Sequence, residues 1–196
     1  MPRLTDRTRA QRREHILVSA WSCFSRNGFH MTSMDDIIAA TGMSSSAVYR
    51  YFTGKDEIID AAAEEALALI RDLFAELLAQ DEPPTPSQTI AGLLAELDRR
   101  TRDADYDLSK IALHIWAEAL RQPGLRRRTN EFYRDVHRSL TELAHRWQTT
   151  GHIDPHAQPE QVATVLMTMM PGLIVTRHMI GPIAADDLVA GLSAFS

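Results

Sequence analysis

The chain of 196 residues is 44% hydrophobic, enough for one or two compact domains with a buried core. A net charge of −5 does not by itself point to nucleic acid, the lone Cys23 rules out an intramolecular disulfide, and nothing reads as a signal peptide or as an apolar span of about 18 residues. A soluble, cytoplasmic protein without membrane contact is expected, and no residue pattern calls for a cofactor.

The charge is unevenly spread. Residues 1–55 carry eight Lys/Arg against four Asp/Glu, a charge of +4, and the remainder carries −9. A basic head on an acidic body is the electrostatic footprint of a protein that presents one end to phosphate. The first stretch, MPRLTDRTRAQR over residues 1–12, is polar and Arg-rich. It reads either as a tail without fixed structure or as an arm that orders on DNA, touching backbone or minor groove.

The spacing predicts a first helix from about Arg9 to Asn27, with Ile16, Leu17, Ala20 and Phe24 inward and Gly28 as its stop. Trp21 reads as packing at the edge of the head. Cys23 reads as a small core thiol, since no His–acid constellation supports a nucleophile. The stretch TSMDDIIAATGMSSSAVYRYFTGK, residues 32–55, then reads as helix, tight turn and short helix. Thr32 with Asp35 three residues on is a capping-box-like start, and Asp35 and Asp36 lie in the first turn, where the helix dipole favours anions. Met34, Ile37 and Ile38 give one apolar face, Gly42 ends the helix, and Ser44 is a good N-cap for the next. Val48 and Phe52 are four apart and face the core. Ser45, Ser46, Ala47, Tyr49 and Arg50 are left on the outer face, where a recognition helix meets base edges.

These residues resemble the N-terminal domain of the tetracycline-repressor (TetR) family. The matching positions are Ile16-Leu17, Ala20, Phe24, Gly28-Phe29, Thr32-Ser33-Met34, Ile37-Ile38-Ala39, Gly42-Met43-Ser44, Val48-Tyr49-Arg50-Tyr51-Phe52 and Lys55, over roughly the first 60 residues. The triple serine Ser44-Ser45-Ser46 departs from the pattern and puts short hydroxyls where long base readers are usual. The resemblance implies DNA contacts from Thr32, Ser33, Ser44, Ser45, Ser46, Ala47, Tyr49, Arg50, Tyr51 and Lys55. Tyr49 would meet a phosphate or a thymine methyl, and Tyr51 a phosphate, with half-buried packing as the alternative for each. Lys55, two residues after the candidate N-cap Thr53, would hold a phosphate at a helix N-terminus, an anion site by nature, with a solvated lysine as the alternative.

The body is helical throughout, with no strand-like alternation and no repeat. Lys55 to Gln80 carries a stripe of Leu67, Ile70, Phe74, Leu77 and Leu78. The prolines of 81–86 make a loop. Ser87 to Thr101 follows, with Ile90, Leu93, Leu94 and Leu97 inward, then a break over 102–106. Leu108 to Arg121 has Ile111, Ala112, Ile115, Trp116, Ala119 and Leu120 apolar, and its His114, Glu118 and Arg121 read as a solvated polar face. In Leu125 to Thr150 the stripe is Leu125, Phe132, Val136, Leu140, Leu143 and Trp147. Pro159 to Ile180 is apolar almost all round, with Pro171-Gly172 as a kink, and Asp186 to Phe195 closes the chain. A helix apolar all round is buried, here between the core and a second subunit.

The expected architecture is all-α. A three-helix helix-turn-helix domain occupies 1–54, and a helical ligand-binding and dimerisation domain occupies 55–196. The resemblance implies a homodimer through the C-terminal helices, an operator in double-stranded DNA, and repression relieved by a small-molecule effector. Phe74, Trp116, Tyr133, His137, Met167 and Met170 are the candidate contacts for a largely apolar effector, with ordinary core packing as the alternative. Rival functions are weaker. His152 and His156 have i,i+4 spacing, but Gly151 and Pro155 argue against a helix and no Cys pair completes a metal site. No GxGxxG, P-loop, HExxH or GxSxG points to an enzyme. A helical adaptor without DNA binding would not need the basic head.

Overall fold

A computed structural model describes residues 6–102 and 106–193, and among these every regular element is an α-helix. In chain order they are α1 Asp6–Met31, α2 Met34–Thr41, α3 Ser45–Val48, α4 Lys55–Leu78, α5 Pro86–Arg102, α6 Leu108–Ala119, α7 Pro123–Thr149, α8 Pro159–Met179 and α9 Ala185–Ser193. By packing, the chain forms two compact units that differ from a single division at residue 54. One takes residues 1–67 with 100–125, and the other takes 68–99 with 126–196. Helix α4 begins in the first and ends in the second. The expected contributions of Leu97 and Phe195 and most of the break at 102–106 lie outside what is described.

In the first unit, residues 6–12 form the opening turns of α1, and the first five residues of the expected tail or arm lie outside what is described. Ile16, Leu17, Ala20 and Phe24 are all fully buried, as their spacing predicts. Each large side chain so buried contributes about 1.5–3 kcal/mol. Phe24 meets Phe29 edge-on, with ring centroids 4.8 Å apart. Gly28 interrupts the helix with φ 75° and ψ 171°, a backbone conformation open essentially to glycine alone. The chain then makes one further turn to Met31. Trp21 is buried and packs edge-on against Tyr106 at 4.7 Å. Cys23 is a buried, reduced thiol.

Helix α6 belongs to this first unit and packs on α1. Asp107 caps its N-terminus by accepting from Ser109 N and Lys110 N, and the Asp107 N–H donates to Ser25 Oγ at 2.9 Å. The expected solvated face of α6 is instead a joint. His114 is half-buried against Gly28 and tilted 5.7 Å from the Phe29 ring. Glu118 is buried, accepts from Gln122 Nε2 at 2.7 Å and lies 3.0 Å from His30 Nε2. Leu120, apolar like its neighbours, is 82% exposed just past the end of the helix at Ala119.

The second unit is built on α7. Leu125, at the border, and Phe132, Val136, Leu140, Leu143 and Trp147 are all buried. Around Leu143, Ala144 and Trp147 pack Leu78, Ile153, Val162 and Leu166. The Trp147 indole N–H donates to Pro84 O at 2.6 Å. The Arg146 guanidinium donates to Leu78 O at 2.7 Å, to Asp81 O at 2.9 Å and to Gln80 O. A cation there satisfies the last carbonyl of α4 and two in the turn that follows it.

Helix α8 corrects two expectations. It is long and apolar enough, at mean hydropathy 1.2, to pass the length and composition test for a membrane span, so the chain does hold one apolar stretch of that kind. It is also little buried: of its residues only Pro159 and Ala163 are, while Val165 is 55% and Met179 72% exposed. The all-round apolar pattern therefore does not reflect burial within this chain.

Candidate nucleic-acid interface

The helix-turn-helix is assembled from local signals, in a register one residue later than the sequence reading. Thr32 and Ser33 are both good caps, and each has an aspartate three residues on. The structure uses Ser33: its hydroxyl accepts from Asp36 N at 3.1 Å, and the Asp36 carboxylate accepts from Ser33 N at 2.8 Å and from Ser33 Oγ at 2.6 Å. These bonds from Ser33 hold the Asp36 carboxyl below its ordinary range. Thr32 is fully buried and its hydroxyl donates to Gly28 O at 2.8 Å, so its side chain presents nothing to a ligand. Gly42 then stops α2 at φ 63°, its N–H donating to Ala39 O.

Helix α3 is a single turn, Ser45–Val48, continued by turns in which Tyr51 N and Phe52 N donate to Val48 O at 2.9 and 3.2 Å. Ser44 sits at its N-cap position with extended backbone but makes no capping bond; its hydroxyl lies 3.3 Å from Ser46 Oγ. Val48 and Phe52 are buried and lock α3 to the core. Ser44, Ser45, Ser46, Tyr49 and Arg50 are exposed, and Ala47 and Tyr51 are half-buried. Tyr49 is 48% exposed. Arg50 makes no ion pair among the described residues. The structure thus brings together on one outer face the residues assigned to base reading.

Lys55 has protein partners beyond the phosphate or solvent expected for it. Its ammonium donates to Phe29 O at 3.0 Å and to Thr32 O at 2.9 Å, which leaves one of three N–H donors. It therefore clamps the α1–α2 turn. The start of α4 is closed by Glu57, which accepts from Thr53 N at 2.7 Å and Thr53 Oγ1 at 2.8 Å; these bonds lower its carboxyl below the usual value. Thr53 thus acts through the Glu57 carboxylate, and Gly54 holds the position before Lys55.

Two features beside α3 were missed in the sequence. His15 Nε2 lies 2.8 Å from Thr41 O and ties α1 to the end of α2. An open cleft of about 500 Å³ runs between the opening turns of α1 (Thr8, Gln11, Arg12, His15) and the edge of the turn and α3 (Met43, Ser44, Ala47). The only signal for it was the density of arginines in residues 1–13.

The candidate effector residues divide between the two units. Phe74 is fully buried, and Tyr133, His137, Met167 and Met170 are half-buried, all in the second unit. Tyr133 meets Phe132 edge-on at 5.1 Å, and His137 Nε2 lies 3.1 Å from Thr164 Oγ1, joining α7 to α8. Trp116 is half-buried in the first unit. The cleft beside α3 contains none of these six. Among the described residues no group of three or more His, Cys, Asp or Glu is placed to hold a metal ion.

Comparison with known proteins agrees with this architecture at both ends of the chain. Residues 16–62 match the family model of bacterial regulatory proteins, tetR family, and residues 90–195 match that of the C-terminal domain of BetI-type transcriptional repressors. The transcriptional regulator UidR of Escherichia coli K12 is 26% identical over 184 residues, 90% of this chain and 83% of that protein. Among solved structures, Salmonella enterica GusR superposes with a TM-score of 0.68 at 25% identity, covering 88% of this chain and 85% of that one. A transcriptional regulator of Saccharomonospora viridis in complex with choline superposes at 0.76 with 23% identity, covering 95% of each chain. With an exposed single-turn reading helix locked to a buried core, and both family models matched over most of its length, this chain belongs to the TetR family of helix-turn-helix DNA-binding transcriptional regulators.

Proposed function

We propose that the protein is a cytoplasmic repressor, not an enzyme, which holds a palindromic operator as a homodimer and releases it when a small molecule binds. The observation that carries this is the outer face of α3, exposed while Val48 and Phe52 beneath it are buried. Ser44, Ser45, Ser46, Ala47, Tyr49 and Arg50 enter the major groove. Ser33, Tyr51 and the remaining N–H of Lys55 flank it. Serine and tyrosine hydroxyls read bases less selectively than Arg or Asn, so Arg50 carries most of the direct readout.

The dimer forms through α8 and α9. A largely apolar α8 that its own chain leaves exposed at Val165, Val175 and Met179 is the surface a second copy would cover. Two-fold symmetry then sets two reading helices about 34–36 Å apart, one turn of DNA. The effector contacts Phe74, Tyr133, His137, Met167 and Met170, all in the second unit. Their aromatic content makes choline, bound by the Saccharomonospora viridis relative, the first compound to try, because aromatic faces attract quaternary ammonium groups. Helix α4 runs from the first unit into the second and is the covalent route for the response. A coupling of about 1–3 kcal/mol would lower operator affinity 5–150-fold.

The test is selection of random double-stranded DNA by the purified protein. The expected result is a palindrome with half-sites about one helical turn apart. A folded dimer that enriches no sequence, with effector-like compounds dialysed away, would overturn the reading.

A further inference from the structure

The α1 wall of the cleft beside the reading helix, Thr8, Gln11, Arg12 and His15, has no part in the contacts assigned so far. We infer that the cleft seats a DNA phosphodiester, gripped by the Arg12 guanidinium with Gln11 and Ser44 as neutral donors. This rests on the DNA reading above and adds a contact from α1, outside the helix-turn-helix itself.

Two neighbouring arginines have opposite circumstances. Arg13 is engaged: Nη1 lies 2.9 Å from Glu65 Oε1, and its guanidinium stands over the Phe52 ring at 5.3 Å. Arg12 is exposed and makes no ion pair or hydrogen bond among the described residues. It lines the cleft, and no carboxylate lines the cleft with it. An unpaired guanidinium in a concavity without acids is suited to an anion, and its planar fork matches phosphate oxygens.

The position suits DNA in particular. Ser44 and Ala47 form one wall of the cleft and also belong to the outer face of α3. When α3 lies in the major groove, the sugar-phosphate strand that borders the groove passes along this edge. Met43 and Ala47 offer apolar surface to deoxyribose beside the polar grip. The walls are held in register, since His15 Nε2 bonds Thr41 O at 2.8 Å just before the turn that carries Met43 and Ser44.

The experiment titrates a labelled random-sequence DNA duplex with the full-length protein at several KCl concentrations, by fluorescence anisotropy. Each phosphate contact contributes about −0.9 to the slope of log affinity against log salt. Arg12→Ala should lower that slope by about one contact at an unchanged melting temperature, and Arg12→Lys should restore it. Arg26→Ala is the control for diffuse charge. Arg26 is exposed on the same helix about 20 Å further along, beyond a Debye length of about 10 Å at 0.1 M salt, and its loss should leave the slope alone. A wild-type slope in Arg12→Ala, or an equal change in Arg26→Ala, would overturn the inference while leaving DNA binding intact. A wild-type protein that does not bind the duplex at low salt would instead sink the DNA reading, and this contact with it.

Discussion

Lys55 places a positive charge on two backbone carbonyls at the turn after α1. Its bonds to Phe29 O and Thr32 O reach back 26 and 23 residues. Lys55→Met is expected to destabilise the protein by about 1–3 kcal/mol, because charge-assisted bonds to partly buried carbonyls are lost. Urea unfolding measures it, and a variant as stable as the wild type would remove the clamp from the account. Ser33→Ala should cost about 1 kcal/mol for the lost cap, visible as a lower melting temperature. Thr32 and Ser33 can both cap a helix and each has an aspartate three residues on, so the register was not legible there. Burial of Thr32 against Gly28 O decides it, and burial is a tertiary fact. The reading of Lys55 had the same limit. Its place at the start of a helix is local, but the carbonyls it meets lie more than twenty residues back.

At the level of elements, the joint between α1 and α6 is where sequence reading failed most. The polar pattern His114, Glu118, Arg121 looks like a solvated face because amphipathic patterns cannot tell water from a polar partner helix. The stripe of α7 was legible for the opposite reason: six large apolar residues at helical spacing have only a core to go to. Burial holds the His114 imidazole below its ordinary value of 6.5, with His30 and Lys110 adding repulsion. Its neutral form is thus favoured by folding. The stability this contributes is present above pH 6.5 and lost as pH falls through the lowered folded value. Chemical denaturation between pH 7 and pH 5 should show a decline that His114→Gln flattens; an equal decline in the variant would exclude His114 as its source. Gly28→Ala meets the same ring. A Cβ there falls 2.9 Å from His114 Cε1 at a φ of 75°, and the backbone strain alone is worth about 1–3 kcal/mol. The double variant with His114→Ala should recover the clash but not the strain, so partial rescue in unfolding experiments is the expected outcome.

For the molecule as a whole, the proposed assembly rests on α8. Val165→Glu and Val175→Glu should leave the fold intact, since both side chains are exposed, and convert a dimer to a monomer in sedimentation velocity. A dimer that persists in both variants would move the interface elsewhere. The division into two units carries a further consequence, for how such a protein can be rearranged. The unit that holds the reading helix is made of two separate stretches, 1–67 and 100–125. A single cut or crossover near residue 54 leaves α1 without α6, so Gly28 and Phe29 lose His114 and His30 loses Glu118. Heads are therefore not interchangeable parts in this chain. A chimera that exchanges the first 54 residues with a relative inherits a mismatched joint, whereas one that carries the second stretch along keeps both sides of it together.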